Sequence, residues 1–209
     1  EPGITALVTR LHDEALTSRM PGTAKQAVLY VSHHSADTDL REEPLVKELL
    51  EASPQVAFYA CDVRGIGESR PNTCGLDQFL KPYGSDYFYA AHGIMLDRPL
   101  LGQRVYDVLR VLQVLRAAGH QEIHLAGRGW GALAAAFAGL LSEEVKQVTL
   151  KNALTSYAEI AADPEYRWPY ALMLPDVLSH FDMPDCYAAL GSKKLSHASP
   201  WGARDGMGE

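Results

Sequence analysis

Short apolar runs alternate along this chain with longer segments of helical periodicity. Residues 27–32, Ala-Val-Leu-Tyr-Val-Ser, form a continuous apolar run of the kind buried on both faces of a parallel sheet. Further runs at 4–9, 56–61, 123–126, 145–150 and 194–199 read as strands. Over residues 40–52, Leu45, Leu49 and Leu50 fall on one side and Glu42, Glu43, Lys47 and Glu51 on the other, which predicts one amphipathic helix. The longest helix is predicted over 100–118, with Val105, Leu109, Leu112 and Leu115 on a single stripe and Gly119 as its stop. Shorter helices are expected over 154–162 and 185–190. Prolines and glycines make 70–84 an irregular excursion, and 164–184 reads as a cap-like one. Tyr87, Phe88 and Tyr89 form an aromatic patch, whose commonest place is a core. This order predicts an α/β fold: a mostly parallel sheet flanked by helices on both faces.

The segment 122–141 stands out from this pattern. The apolar residues Ile123, Leu125 and Ala126 read as a buried strand, and an alanine-rich helix follows. Between them Gly127, Gly129 and Gly131 recur at every second position and allow a tight turn. A strand, a sharp turn and a helix are the layout of a nucleophile elbow, G-x-S-x-G, where a strained turn lifts a serine above the sheet and the next backbone N–H helps form an oxyanion hole. The serine position here is Gly129, which has no side chain with which to attack.

Composition narrows the functional classes. The 209 residues suit a single domain over 1–209, 47% of them apolar and 22% charged. A net charge of -7 with no Lys/Arg-rich run argues against a nucleic-acid surface and offers anionic lipid no basic face. No apolar run reaches the roughly 18 residues of a membrane span. Cys61, Cys74 and Cys186 are too few and scattered for a disulfide framework or a zinc site, and Cys61 reads as a core residue. His33 and His34 adjoin without an accompanying Cys/His/acid cluster, so no metal is expected. No cofactor is expected either. Without an initiator methionine or a signal-like leader, the chain reads as a mature product or a domain of a larger protein.

A second motif precedes the elbow. Asp62-Val-Arg-Gly-Ile-Gly-Glu-Ser69 follows a strand, its glycines permit a turn, and Asp62 and Arg64 are placed to pair across it. With the elbow at 127–131, and with Asp86-Tyr-Phe-Tyr-Ala-Ala-His-Gly-Ile-Met-Leu-Asp-Arg-Pro-Leu-Leu-Gly-Gln-Arg-Val-Tyr-Asp107, this motif makes the chain resemble the α/β-hydrolase superfamily over about residues 27–203. Within it the chain is similar to bacterial acetylxylan-esterase-related proteins. The resemblance implies a truncated α/β-hydrolase fold, with oxyanion-hole-like positions at Trp130 and at His34, in the loop after residues 27–32. It also implies an exported, periplasmic or extracellular location.

For catalysis the resemblance is negative. A hydrolase of this kind needs Ser, acid and His in chain order, because the His takes the nucleophile's proton while the acid holds its ring. Gly129 stands at the nucleophile position and Gly202 at the acid position, with Asp205 displaced from it. His197 falls within the last predicted strand rather than after it. The reading is a catalytically degenerate esterase-like domain with a binding, scaffolding or stabilising role, whose partner is another domain or chain of an esterase assembly, or carbohydrate. One alternative is an active carbohydrate esterase whose triad is completed elsewhere, with Ser35, Ser69 or Cys61 as substitute nucleophiles, although nothing pairs these with a base. Another uses Gly127-x-Gly129-x-x-Ala132 as a dinucleotide fingerprint, but Lys151 and Asn152 stand where its acidic residue is expected.

Overall fold

The computed structural model describes residues 4–11, 24–71 and 84–206. Its strands are β1 (Leu7–Leu11), β2 (Gln26–Val31), β3 (Ala57–Asp62), β4 (Glu122–Arg128), β5 (Val145–Lys151) and β6 (Leu195–Ala198). Among the described residues they form one sheet in the order β1-β3-β2-β4-β5-β6, parallel throughout except for β1, which runs antiparallel to β3 along an edge. The longer helices are α1 (Ala36–Glu42), α2 (Pro44–Ala52), α3 (Ser85–Met95), α4 (Leu100–Ala117), α5 (Gly129–Leu141), α6 (Tyr157–Ala162) and α7 (Met183–Leu190).

Side-chain alternation sorts the core into two layers. Ala27, Leu29 and Val31 of β2 point to the face covered by α4, α5 and α7, together with Tyr59, Cys61, Ile123 and Leu125. Val28 and Tyr30 point the other way with Phe58, Ala60 and Ala126, against Ala36 of α1 and Leu45, Val46 and Leu49 of α2. A strand covered on both sides needs apolar residues at every position, which is why β2 reads as an unbroken run. Cys61 is buried in the first layer, as expected.

Three expectations need correction. The single helix expected over 40–52 is two helices: Pro44 lacks the N–H that would continue α1, and the Glu43 carboxylate instead accepts from Leu45 N to start α2. The aromatic patch belongs to α3, where Phe88 and Tyr89 are 54% and 45% exposed. Asp62 and Arg64 do not pair: Arg64 turns instead to Asp107 of α4. The excursion 164–184 contains two single-turn 3₁₀ segments, Tyr170–Leu172 and Val177–Ser179, while residues 72–83 of the earlier excursion, including Cys74, lie outside the described residues.

Candidate functional site

The parallel strands direct three connecting loops to one end of the sheet, where β2, β3 and β4 finish. At the end of β4 the chain turns through Gly129, with φ of 53°, directly into α5. This left-handed conformation suits glycine and strains any other residue. The flanking glycines serve close packing: a Cβ on Gly127 would lie 2.9 Å from Gly131 O, and one on Gly131 would run into the carbonyls of Val31 and Ser32. The first turn of α5 therefore rests directly on the end of β2.

The loop that leaves β2 covers the apex. His33 packs on Gly129 so closely that a side chain there would put its Cβ 2.5 Å from His33 Nδ1. The same Nδ1 accepts the Trp130 backbone N–H at 3.2 Å. An imidazole that accepts at Nδ1 carries its proton on Nε2 when neutral. The His34 ring stacks on His33 at 3.8 Å between centroids and 18° between planes. Trp130 meets both rings edge-on, and Trp201 meets His33 likewise. Burial, then the neighbouring His34 and Arg128, push the His33 pKa down to about 2. His34 falls to about 4, again first through burial and then through Arg128, Arg70 and Arg104. Both rings are neutral at pH 7.

Asp62, at the end of β3, organises the adjoining loops. Its buried carboxylate accepts from Ser32 Oγ at 2.6 Å, Ala36 N at 2.7 Å and Glu68 N at 3.1 Å. Gly67, with φ of 49°, has no Cβ because the Asp62 carboxylate fills that space. Its N–H donates to His34 O at 2.9 Å, tying the loop after β3 to the loop after β2. Arg64 donates Nε to Asp107 Oδ2 at 2.8 Å and Nη1 to Gln103 Oε1 at 2.8 Å. Arg104 donates Nε to Arg64 O at 3.1 Å and Nη2 to Asp86 Oδ1 at 2.8 Å, so both arginines clamp this loop to α4 and α3.

Beneath the histidines lies a buried charge cluster. Asp39 of α1 accepts from His33 N at 2.9 Å and from the Tyr30 hydroxyl at 3.0 Å. Glu43 is ion-paired with Lys151, and its Oε2 lies 2.9 Å from Arg128 Nε. That N–H is not aligned for a hydrogen bond, so the Arg128 contact is one of charge. The Arg128 guanidinium also lies over the Trp201 ring, 5.8 Å from its centroid.

The structure thus gathers Gly129, Trp130, His33 and His34 at one place. Gly202 lies beyond the Leu154–Trp201 bridge, where its N–H donates to Asp205 Oδ2 at 2.9 Å and its carbonyl accepts from Trp168 Nε1 at 2.8 Å. Asp205 closes its own turn. His197 sits on β6 against Tyr187, with ring centroids 4.5 Å apart. The substitute nucleophiles are committed elsewhere. Ser35 caps α1, Ser69 Oγ donates to Asp62 O, and burial pushes the Cys61 thiol far up, out of reach of ionisation. Asn152 donates its side-chain amide to Ser199 O. Sequence reasoning missed Arg104: it falls one position before Val105 in an amphipathic stripe, and only the fold reveals that it is buried.

No protein-family profile matches this sequence, and no curated protein matches it. Among solved structures, a proposed acetyl xylan esterase from Bacteroides fragilis NCTC 9343 is similar, with a TM-score of 0.64 and 17% identity over 84% of this chain. This chain spans 52% of the length of that protein. The acetyl xylan esterase from Paenibacillus sp. R4 gives 18% identity, 91% coverage of this chain and 68% of its own, and a TM-score of 0.47, too low to support any argument. At such identities the likeness concerns the fold, which is that of the α/β-hydrolases.

Proposed function

We propose that this α/β-hydrolase-fold chain is catalytically degenerate and acts by binding or scaffolding within a carbohydrate-esterase-like protein. The observation that carries this reading is the apex of the elbow: Gly129 offers no nucleophile, and the His33 imidazole packs where one would project. The Trp130 N–H, the oxyanion-hole-like donor, is given to His33 Nδ1. A neutral imidazole held this way has no lone pair free at Nδ1, and its Nε2 bears a proton rather than accepting one. Loss of the nucleophile from a serine hydrolase lowers kcat by about 10⁶. The partner is another domain or chain of an esterase assembly, or a carbohydrate, in keeping with the acetyl xylan esterase named among the structural neighbours.

Acetyl-ester hydrolysis tested against a heat-denatured control should show no difference, and a serine-reactive phosphonate should leave the chain unlabelled. Stoichiometric labelling of one residue would overturn the proposal. The dinucleotide reading is less well supported, because His33 covers the turn that would cradle a pyrophosphate and Lys151 is paired with Glu43. Millimolar NAD should therefore leave the melting temperature unchanged, since a ligand that binds only the folded state must raise it.

A further inference from the structure

The exposed side chains of Ile4, Leu7 and Tyr89 belong to three separate parts of the chain and line one open cavity. Its volume is about 400 Å³, within the range of about 300–1,000 Å³ for small-molecule sites. Leu100 at the start of α4 completes the apolar wall, and Glu68 and Arg70 of the turn after β3 line the same space. Gly129, Trp130, His33 and His34 do not line it, so the cavity is separate from the elbow. Exposed apolar groups collected in one concavity, with a few polar groups among them, are the usual make-up of a ligand site.

The frame around the cavity is held by hydrogen bonds. Leu7 N donates to Ser69 Oγ at 3.1 Å, which joins the start of β1 to the turn after β3. Arg64 and Gln103 also line the cavity, and both are committed: Arg64 to Asp107 and to Gln103 Oε1, and Gln103 Nε2 to Arg98 O at 2.7 Å. Glu68 and Arg70 differ. Among the described residues the Glu68 carboxylate has no hydrogen-bond or ion-pair partner, and the Arg70 side chain is bonded only through Nε, to Gly67 O. Opposite charges thus line one cavity, two residues apart in sequence, without pairing with each other.

We propose that this cavity binds a small zwitterion with an apolar side chain, a free α-amino acid, whose carboxylate meets Arg70 and whose ammonium meets Glu68 while its side chain lies against Ile4, Leu7, Tyr89 and Leu100. Charge complementarity selects this class. A lone carboxylate would gain Arg70 but be repelled by Glu68, and a lone ammonium the reverse, whereas a zwitterion satisfies both. The proposal does not rest on the degeneracy of the elbow, and a chain with esterase activity would leave it standing.

The test is isothermal titration with L-phenylalanine and L-leucine, beside 3-phenylpropionate, which lacks the ammonium, and 2-phenylethylamine, which lacks the carboxylate. Saturable binding of at least one amino acid at millimolar concentration is expected, with each singly charged analogue at least fivefold weaker. Glu68→Gln and Arg70→Gln, both at positions with solvent access, should each weaken the amino acid at least threefold. Glu68→Gln should leave 3-phenylpropionate no weaker, and Arg70→Gln should leave 2-phenylethylamine no weaker. Thr5→Trp, which fills space at the exposed rim, should abolish binding, while Arg110→Gln on the exposed face of α4 should not change it. Failure of both amino acids to saturate would overturn the proposal. So would a singly charged analogue binding as tightly as L-phenylalanine, or unchanged binding in both Glu68→Gln and Arg70→Gln.

Discussion

Gly129 is the residue on which the elbow turns, and two separate constraints keep it a glycine. Its φ of 53° costs other residues about 1–3 kcal/mol. In addition, any Cβ would crowd the His33 ring, 2.5 Å away at Nδ1. Gly129→Ser should therefore destabilise by more than the backbone strain alone, and it should restore no esterase turnover, because no base is placed to activate the serine. In a His33→Ala background the cost of Gly129→Ser should fall towards the backbone strain. Urea unfolding of the four proteins gives the coupling, and strict additivity would show that the ring yields without cost. Asp62 is the corresponding residue of the earlier turn. With three donors converging on its carboxylate, Asp62→Ala should cost about 3 kcal/mol or more by the same measurement, since charged acceptors contribute about 1.5–3 kcal/mol each.

At the scale of elements, the break between α1 and α2 sets the charge cluster beneath the histidines. Glu43 stands at the break, starts α2 through Leu45 N, and joins the ends of β4 and β5 through Arg128 and Lys151. Removing one member of a buried pair strands the others, and here the two cations retain some solvent, with side chains 19% and 24% exposed. Glu43→Ala should cost about 2–4 kcal/mol, read as a lowered urea midpoint at unchanged slope. Replacing Pro44 by Ala should leave the two helices distinct, because Glu43 remains pinned to the strand ends. Loss of the Glu43 cap in the amide-exchange pattern of α2 would count against this.

Across the whole molecule, the two rings kept neutral at the sheet's end couple folding to pH. In the unfolded chain histidine takes up a proton near pH 6.5, whereas folded His34 does so only near 4 and folded His33 near 2, chiefly because both are buried. Between those values the unfolded state binds more protons, so stability falls as pH falls from about 6.5 towards 4, and His33 extends the loss below that. His124, lowered to about 4 by burial, adds in the same direction. Unfolding free energies measured at pH 7, 6, 5 and 4 should trace this decline, and His34→Gln should flatten it between pH 6.5 and 4. A profile level over that range would contradict the buried, neutral pair.

Much of this arrangement was legible along the chain because its causes are local. Continuous apolar runs marked strands covered on both faces, helical spacing marked α4, and glycines at every second position marked a turn that only a residue without Cβ can make so tightly. The alternation of these elements yields the α/β sheet, and a glycine at the serine position follows from the sequence alone. What fills the space above that glycine does not. His33 and Trp130 are 97 residues apart, and only the parallel pairing of β2 with β4 sets the ring against the turn. Arg64 was expected to meet Asp62, two positions away, but those neighbours leave β3 in different directions and the partner is Asp107, 43 residues on. The exposure of Phe88 and Tyr89 depends likewise on which side of α3 meets α4 and the Tyr170–Leu172 turn, and the burial of Arg104 on which side of α4 is enclosed. Periodicity reports that one side is apolar; only packing decides which charged residue is enclosed with it.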